Sequence, residues 1–276
     1  MKKILIPCDF TEPSNNAVNY AMGLAGMFGS DVVLLHVTQY PVTNAEMGLS
    51  AYTYQDARED SLEALRELAG RIKTEFGERN IECFSEMGDT AEEVLNYSRK
   101  MKADLVVMGI TGHGSRLMKS ILGSSAVTAA KKTDIPLIIV PPEARYKKIS
   151  SIAFACDYNA PQRENSIAKA RDIGAQFGAG LHLVHVIPEN HHIELKESFV
   201  DNYMEHHLES SPHRTFLVTE TNAAEGLLNF LKNNLVDMMM IEPRKHSVFH
   251  KIFLPSTTTE IAFNSPVPVM TIHPGA

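Results

Sequence analysis

The chain has 276 residues, 44 % apolar and 21 % charged, with a formal net charge of −7, which is material for one large domain or two small ones, each with a core of its own. No apolar run approaches the ~18 residues of a membrane helix, the start Met1-Lys2-Lys3 has no secretory cleavage pattern, and an acidic balance without a basic stripe excludes nucleic acid and membrane as expected partners. Three cysteines, Cys8, Cys83 and Cys156, with no CxxC spacing exclude a disulfide framework or zinc finger and point to the cytoplasm.

Taken in chain order, residues 4–8 form a short apolar run bounded by Pro7 and Asp9, which predicts a buried strand. Ala17, Ala21, Leu24, Ala25 and Phe28 recur at helical spacing over residues 14–28, and Gly29 ends that helix. Residues 32–37 predict a second strand. Leu62, Leu65, Leu68, Ala69 and Ile72 give a long amphipathic helix over 56–76. A third strand is expected at 81–86, then a helix over 90–100 with Thr90 as N-cap and Glu93 completing a capping box. A strand at 105–108, a helix at 124–132 and a strand at 137–140 complete the unit. Strands alternating with helices imply a parallel sheet covered on both faces, a doubly wound α/β unit.

The chain then repeats. Lys2-Lys3-Ile4 running to Cys8-Asp9-Phe10 is answered by Lys147-Lys148-Ile149 running to Cys156-Asp157-Tyr158. Phe28-Gly29 and Leu34-Leu35-His36-Val37 are answered by Phe177-Gly178 and Leu183-Val184-His185-Val186. Ala91-Glu92, Leu95-Asn96-Tyr97 and Asp104 reappear as Ala224-Glu225, Leu228-Asn229-Phe230 and Asp237, and Ile135-Pro136-Leu137 as Val267-Pro268-Val269. Two copies of one unit meet near Pro141-Pro142, with residues 193–208 as the second copy's long helix.

In such a sheet, ligands sit past the carboxyl ends of the strands, where the strand order reverses. Pro7, Cys8 and Asp9 follow the first strand there. The fourth runs into Met108-Gly109-Ile110-Thr111-Gly112-His113-Gly114, and Gly123-Ser124-Ser125 opens a helix. Glycines that let backbone approach a ligand, followed by a helix N-terminus with hydroxyls, suit a phosphate, although a merely flexible loop fits the same glycines. The segment is neither a Walker A loop nor a GxGxxG fingerprint.

The strand ending Pro7-x-Asp9, the strand ending His36-Val37 and the Gly109-x-x-Gly112 loop leading to Gly123-Ser124 resemble the universal stress protein family, over the whole chain, as a tandem two-domain member. The loop departs from the ATP-binding subgroup's spacing by one residue, with His113-Gly114 in the place of that subgroup's frequent His-Gly. The resemblance implies an ATP-binding domain over 1–142 and a degenerate one over 146–276. Their Rossmann-like five-stranded sheets, of the adenine-nucleotide alpha-hydrolase type, would pair as an internal pseudo-dimer, with strands 137–140 and 269–272 near the contact. It further implies that Pro7 and Asp9 contact the nucleoside and that Val37 flanks the adenine beside Met108. Gly109, Gly112, Gly114, Gly123, Ser124 and Ser125 would hold ribose and phosphates, with Mg²⁺ or Mn²⁺ bridging the phosphate oxygens.

In the second copy Glu242 replaces Gly109 and Pro255 replaces Gly123, which sets a carboxylate and a residue without N–H where phosphate would lie. Histidine concentrates there, with His191, His192, His206, His207 and His213 around the long helix; exposed polar histidines are expected rather than a zinc site. His36 and His185 are expected to pack, and Cys8 and Cys156 to be small buried thiols. No nucleophile–base–acid pattern is readable. The function expected is an ATP-binding stress-response or signalling module with little or no hydrolysis. The alternatives are a scaffold for an unidentified protein partner with incidental nucleotide binding, a slow ATPase, and further pairing of tandem chains as a homodimer.

Overall fold

The computed structural model describes residues 1–39, 54–110, 124–157, 163–189, 208, 212–243 and 255–273. The strands are β1 (Lys3–Pro7), β2 (Asp31–Thr38), β3 (Ile81–Met87), β4 (Leu105–Gly109) and β5 (Leu137–Val140) in the first half. The second half supplies β6 (Ser151–Ala155), β7 (Gly180–Pro188), β8 (His213–Glu220), β9 (Met238–Ile241) and β10 (Val269–Thr271). The helices are α1 (Glu12–Phe28), α2 (Tyr54–Phe76), α3 (Thr90–Lys100), α4 (Ser124–Lys132), α5 (Arg163–Phe177), α6 (Ala223–Asn233) and α7 (Pro255–Asn264). Of the long helix expected over 193–208, all but Leu208 lies outside the described residues.

Each half has the doubly wound order 3-2-1-4-5, and the two join into one ten-stranded sheet, β3-β2-β1-β4-β5-β10-β9-β6-β7-β8. Pairing is parallel except at the join, where β10 runs antiparallel to β5. There Ile138 faces Met270, its own counterpart in the repeat, while Leu137 faces Thr271 and Ile139 faces Val269. A pseudo-twofold axis therefore passes through the Ile138–Met270 pair. The expected contact between the last strands is a shared hydrogen-bonded ladder, so the pair of sheets is continuous.

The inner strands β1, β4, β5, β6, β9 and β10 are buried on both faces, as their unbroken apolar runs require, whereas the edge strands β3 and β8 are only partly covered. On one face α1, α2 and α5 cover a core that crosses the join, from Ile4, Leu34 and Val107 through Ile138 and Met270 to Phe154 and Leu183. On the other face there are two clusters, one around Leu5, Leu35 and Val106 under α3 and α4, which also takes in Ala262 of α7, and one around Val184, Leu227 and Met239 under α6 and α7.

Local chemistry sets the ends of the helices. α1 starts two residues before the apolar periodicity does, because Thr11 caps it and Pro13 sits in the first turn, where a missing N–H costs nothing. Gly29 and Gly178, at φ 65° and 64°, turn the chain after α1 and α5. The N-cap of α3 is Asp89, not Thr90: Asp89 is extended and its Oδ1 accepts from Glu92 N at 3.0 Å, so Thr90 becomes the first helical residue. A carboxylate in that position also meets the positive end of the helix.

The structure corrects one correspondence. Asp104 Oδ2 accepts from the N–H groups of Lys2 (2.6 Å) and Lys3 (2.9 Å), and Asp237 Oδ2 from those of Ser150 (2.8 Å) and Ser151 (3.0 Å). The counterparts of Lys2 and Lys3 are thus Ser150 and Ser151, and the Lys147-Lys148-Ile149 echo lies three residues out of register.

Candidate functional site

The strand order reverses at β1, which lies between β2 and β4, so the crevice opens where β1 and β4 end. Side-chain alternation puts Leu5, Leu35 and Met108 on the face covered by α3 and α4, with Val37 packed against the same cluster and half exposed at its margin. Pro7, two residues after Leu5, is the buried last residue of β1. Cys8 N then donates to Leu35 O at 2.8 Å, and the chain leaves the sheet at Asp9.

Asp9 is exposed and rigidly held. Its Oδ1 accepts from Thr11 N (3.0 Å) and Thr11 Oγ1 (2.5 Å), and its own N–H donates to Ser14 Oγ (3.1 Å). Phe10, between them, takes the left-handed φ of 63°, uncommon for a bulky residue, and Asn15 Nδ2 donates to its carbonyl at 3.1 Å. Oδ2 of Asp9 makes no hydrogen bond among the described residues. Thr11, Ser14 and Phe10 were not singled out from the sequence, although a hydroxyl two residues after an aspartate is a usable sign of such a turn.

His36 does more than pack. Its Nδ1 donates to Cys8 O at 2.7 Å and its ring stacks on Phe10 with centroids 5.0 Å apart, tying the end of β2 to the turn that carries Asp9. His185 makes the same bond to Cys156 O at 3.0 Å in the other half. Burial pushes the Cys8 thiol above its ordinary range, away from the thiolate a nucleophile needs.

Gly109 ends β4 beneath the first turn of α1. A Cβ there would stand 2.3 Å from Pro13 O, so helix packing alone requires glycine at this position. Ser125 lies half exposed in the first turn of α4, a nine-residue helix that starts at Ser124. Gly112, Gly114 and Gly123 lie outside the described residues.

The corresponding place in the second half is built differently. Glu242 follows β9, and its Oε2 accepts from Ser166 Oγ on α5, where α1 has Ala17. The Lys169 ammonium, on the next turn, donates to His273 O; burial lowers its pKa while the Glu242 carboxylate opposes that shift. Thr257, the counterpart of half-exposed Ser125, is 8 % exposed. A carboxylate with its own protein partner and a buried hydroxyl stand where the first half has Gly109, without a side chain, and an accessible serine.

The universal stress protein family model matches residues 1–141 and again 149–273. The chain belongs to the universal stress protein family. The chain is similar to a universal stress protein of Methanocaldococcus jannaschii, 31 % identical over 146 residues, which covers 50 % of this chain and 81 % of the relative. A universal stress protein of Synechocystis is 21 % identical over 99 % of this chain and 100 % of its own length. Among solved structures, the fold matches a universal stress protein from Archaeoglobus fulgidus with a TM-score of 0.71 at 19 % identity, covering 98 % of this chain and 96 % of that one. Both halves of this chain are thus universal stress protein units, and among the described residues no helix is long and apolar enough to cross a membrane.

Proposed function

We propose that this universal stress protein binds one ATP per chain, in its first half, and acts as a nucleotide-dependent stress-response or signalling module rather than as a turnover catalyst. The observation that carries the reading is the difference between the halves at one place: the first has Gly109, without a side chain, and an accessible Ser125, while the second has Glu242, bonded by Ser166, and a buried Thr257. The chemistry of the first-half crevice suits an adenine nucleotide. Pro7, Val37 and Met108 offer an apolar wall to a base, and the Asp9 carboxylate accepts from sugar hydroxyls. The start of α4 offers N–H groups and positive dipole to phosphates. Asp9 is the carboxylate this set provides, so Mg²⁺ or Mn²⁺ would be held chiefly by phosphate oxygens and water. Backbone N–H groups and serine hydroxyls hold a triphosphate without activating water, which yields affinity without rate.

Titration calorimetry of the full chain with MgATP tests this: a stoichiometry of one is expected, removed by Gly123→Val in a protein that still folds. Two equivalent sites, no binding, or unchanged affinity in that variant would overturn it. Steady-state phosphate release within the ~1–100 s⁻¹ of kinases, abolished by the same variant, would replace the module with an ATPase.

A further inference from the structure

The ladder between β1 and β2 stops one rung short at the crevice, and a side chain is the reason. Pro7 pairs with Leu35, and the next rung is made where Cys8 N donates to Leu35 O at 2.8 Å. In that parallel register the rung after it is Val37 N to Cys8 O. It does not form. Cys8 O accepts instead from Nδ1 of His36 at 2.7 Å, and because a carbonyl oxygen only accepts, Nδ1 carries the hydrogen. Val37 N–H is left without a hydrogen bond among the described residues. It faces the lane that β1 vacates when the chain turns away at Asp9, which is the crevice itself.

His36 does this from behind. Successive residues of β2 point to opposite faces, so Val37 lies with the cluster under α3 and α4 while His36 lies on the side of α1 and α2, outside the crevice. Its ring is fixed there by stacking on Phe10, with centroids 5.0 Å apart and planes at 27°, and Asn15 Nδ2 in turn holds the Phe10 carbonyl at 3.1 Å. The second half repeats the arrangement: Cys156 N donates to Val184 O at 2.9 Å, and His185 Nδ1 to Cys156 O at 3.0 Å. There, however, α6 closes on Val186. Gly226 stands where α3 has Glu93, and a Cβ on it would lie 2.8 Å from Val186 Cγ1. Val186 is 4 % exposed, whereas Val37 is half exposed. The arrangement thus opens on an accessible wall in the first half and on a covered one in the second.

We infer that His36 is a positioning residue of the nucleotide crevice: by holding Cys8 O it keeps Val37 N–H out of the ladder and available to an acceptor nitrogen of the base. The inference rests on the nucleotide reading and assigns to this one bond the choice of base rather than the grip on phosphate. With phosphates at α4, which follows β4, and the sugar at Asp9, which follows β1, the base extends toward β2. The edge remote from the sugar then meets Val37, and in adenine that edge carries the acceptor N1. A base with a hydrogen on that nitrogen would set donor against donor.

Calorimetric titration of the full chain with MgATP and with its 1-deaza analogue, in which CH replaces the N1 acceptor, tests this. Wild type is expected to prefer ATP about three- to tenfold, the scale of one hydrogen bond. His36→Phe keeps a ring to stack on Phe10 but has no donor, so Cys8 O is released to Val37 N–H; ATP weakens to the level of the analogue and the preference falls to about one. His36→Asn keeps an amide donor at the place of Nδ1 and retains most of the preference. A merely structural role for His36 would weaken both nucleotides together and leave their ratio unchanged. Independently of any variant, the Val37 amide of nucleotide-free wild type is expected to exchange with solvent much faster than the Leu35 amide inside the ladder, and to slow when ATP is added. Absence of ATP binding in wild type would overturn the crevice reading and this inference with it. If ATP binds, the role of His36 alone is overturned by no preference in wild type, a preference kept in His36→Phe or lost equally in His36→Asn, or a Val37 amide already protected without nucleotide.

Discussion

Phe28 and Phe177, the same position in the two halves, meet each other edge to face with ring centroids 5.2 Å apart and planes at 76°. Together with the Ile138–Met270 pair in the sheet they mark the pseudo-twofold axis, and they belong to a core that crosses the join. The halves are therefore not independent beads. Phe177 is 1 % exposed, so Phe177→Ala removes a fully buried ring and is expected to cost ~3–5 kcal/mol. Thermal unfolding should remain a single transition with a lowered midpoint; two separate transitions, one of them unmoved, would show that the halves unfold independently.

Two glycines separate packing from flexibility. Gly109→Ala sets a Cβ 2.3 Å from the Pro13 carbonyl, and the clash with helix backbone should destabilise the protein by ~1–3 kcal/mol whether or not nucleotide is present. Gly26→Ala, inside α1 with nothing within 4 Å of the new methyl, should stabilise it by ~0.5–1 kcal/mol. Urea unfolding of both variants checks the opposite signs.

The paired aspartates discriminate between the halves. Asp9→Ala should weaken ATP binding by ~1.5–3 kcal/mol, the scale of a hydrogen bond to a charged acceptor, and Asp157→Ala should leave it unchanged. Calorimetry on both variants decides, and equal losses would mean the site is misplaced.

Acid should act through buried histidine before it reaches the carboxylates. Burial lowers the His185 pKa below 6.5, against the opposing effects of the Cys156 carbonyl and Asp157, and burial with Arg214 lowers that of His182. The folded state thus prefers the neutral rings. Their contribution is complete above the unfolded value near pH 6.5 and declines as pH falls toward the lower folded pKa. Asp237 follows at lower pH. Burial alone would raise its pKa, but Lys147 and the Ser150 and Ser151 N–H groups hold it below 3.8, so its contribution fades as pH drops through that lower value. Unfolding free energy should decrease from pH 7 to 5, with a smaller slope in His185→Asn. A flat profile would contradict the sign.

The alternation of strands and helices, the twofold repetition and the limits of α4 and β5 follow from the sequence alone. Each depends on local periodicity, since one buried face of a helix or two buried faces of a strand leave a regular apolar pattern wherever the element sits. The candidate crevice was legible for the same reason: Pro7, Asp9, Val37, Met108 and Gly109 all lie at strand ends that the periodicity defines. Other features depended on distances between residues far apart in the chain. Asp104 and Asp237 reset the correspondence of the repeats by gripping backbone N–H groups, which any residue type supplies and no motif records. The closeness of Pro13 O gave Gly109 a packing role beside its expected place in a binding loop. Ser166 gave Glu242 a partner from another element, turning an apparent phosphate repeller into half of an internal bond. Whether two sheets stand apart or share a ladder was decided only when β5 met β10, because an edge strand and an internal one have the same apolar run, and only the neighbour that satisfies its N–H and C=O groups tells them apart.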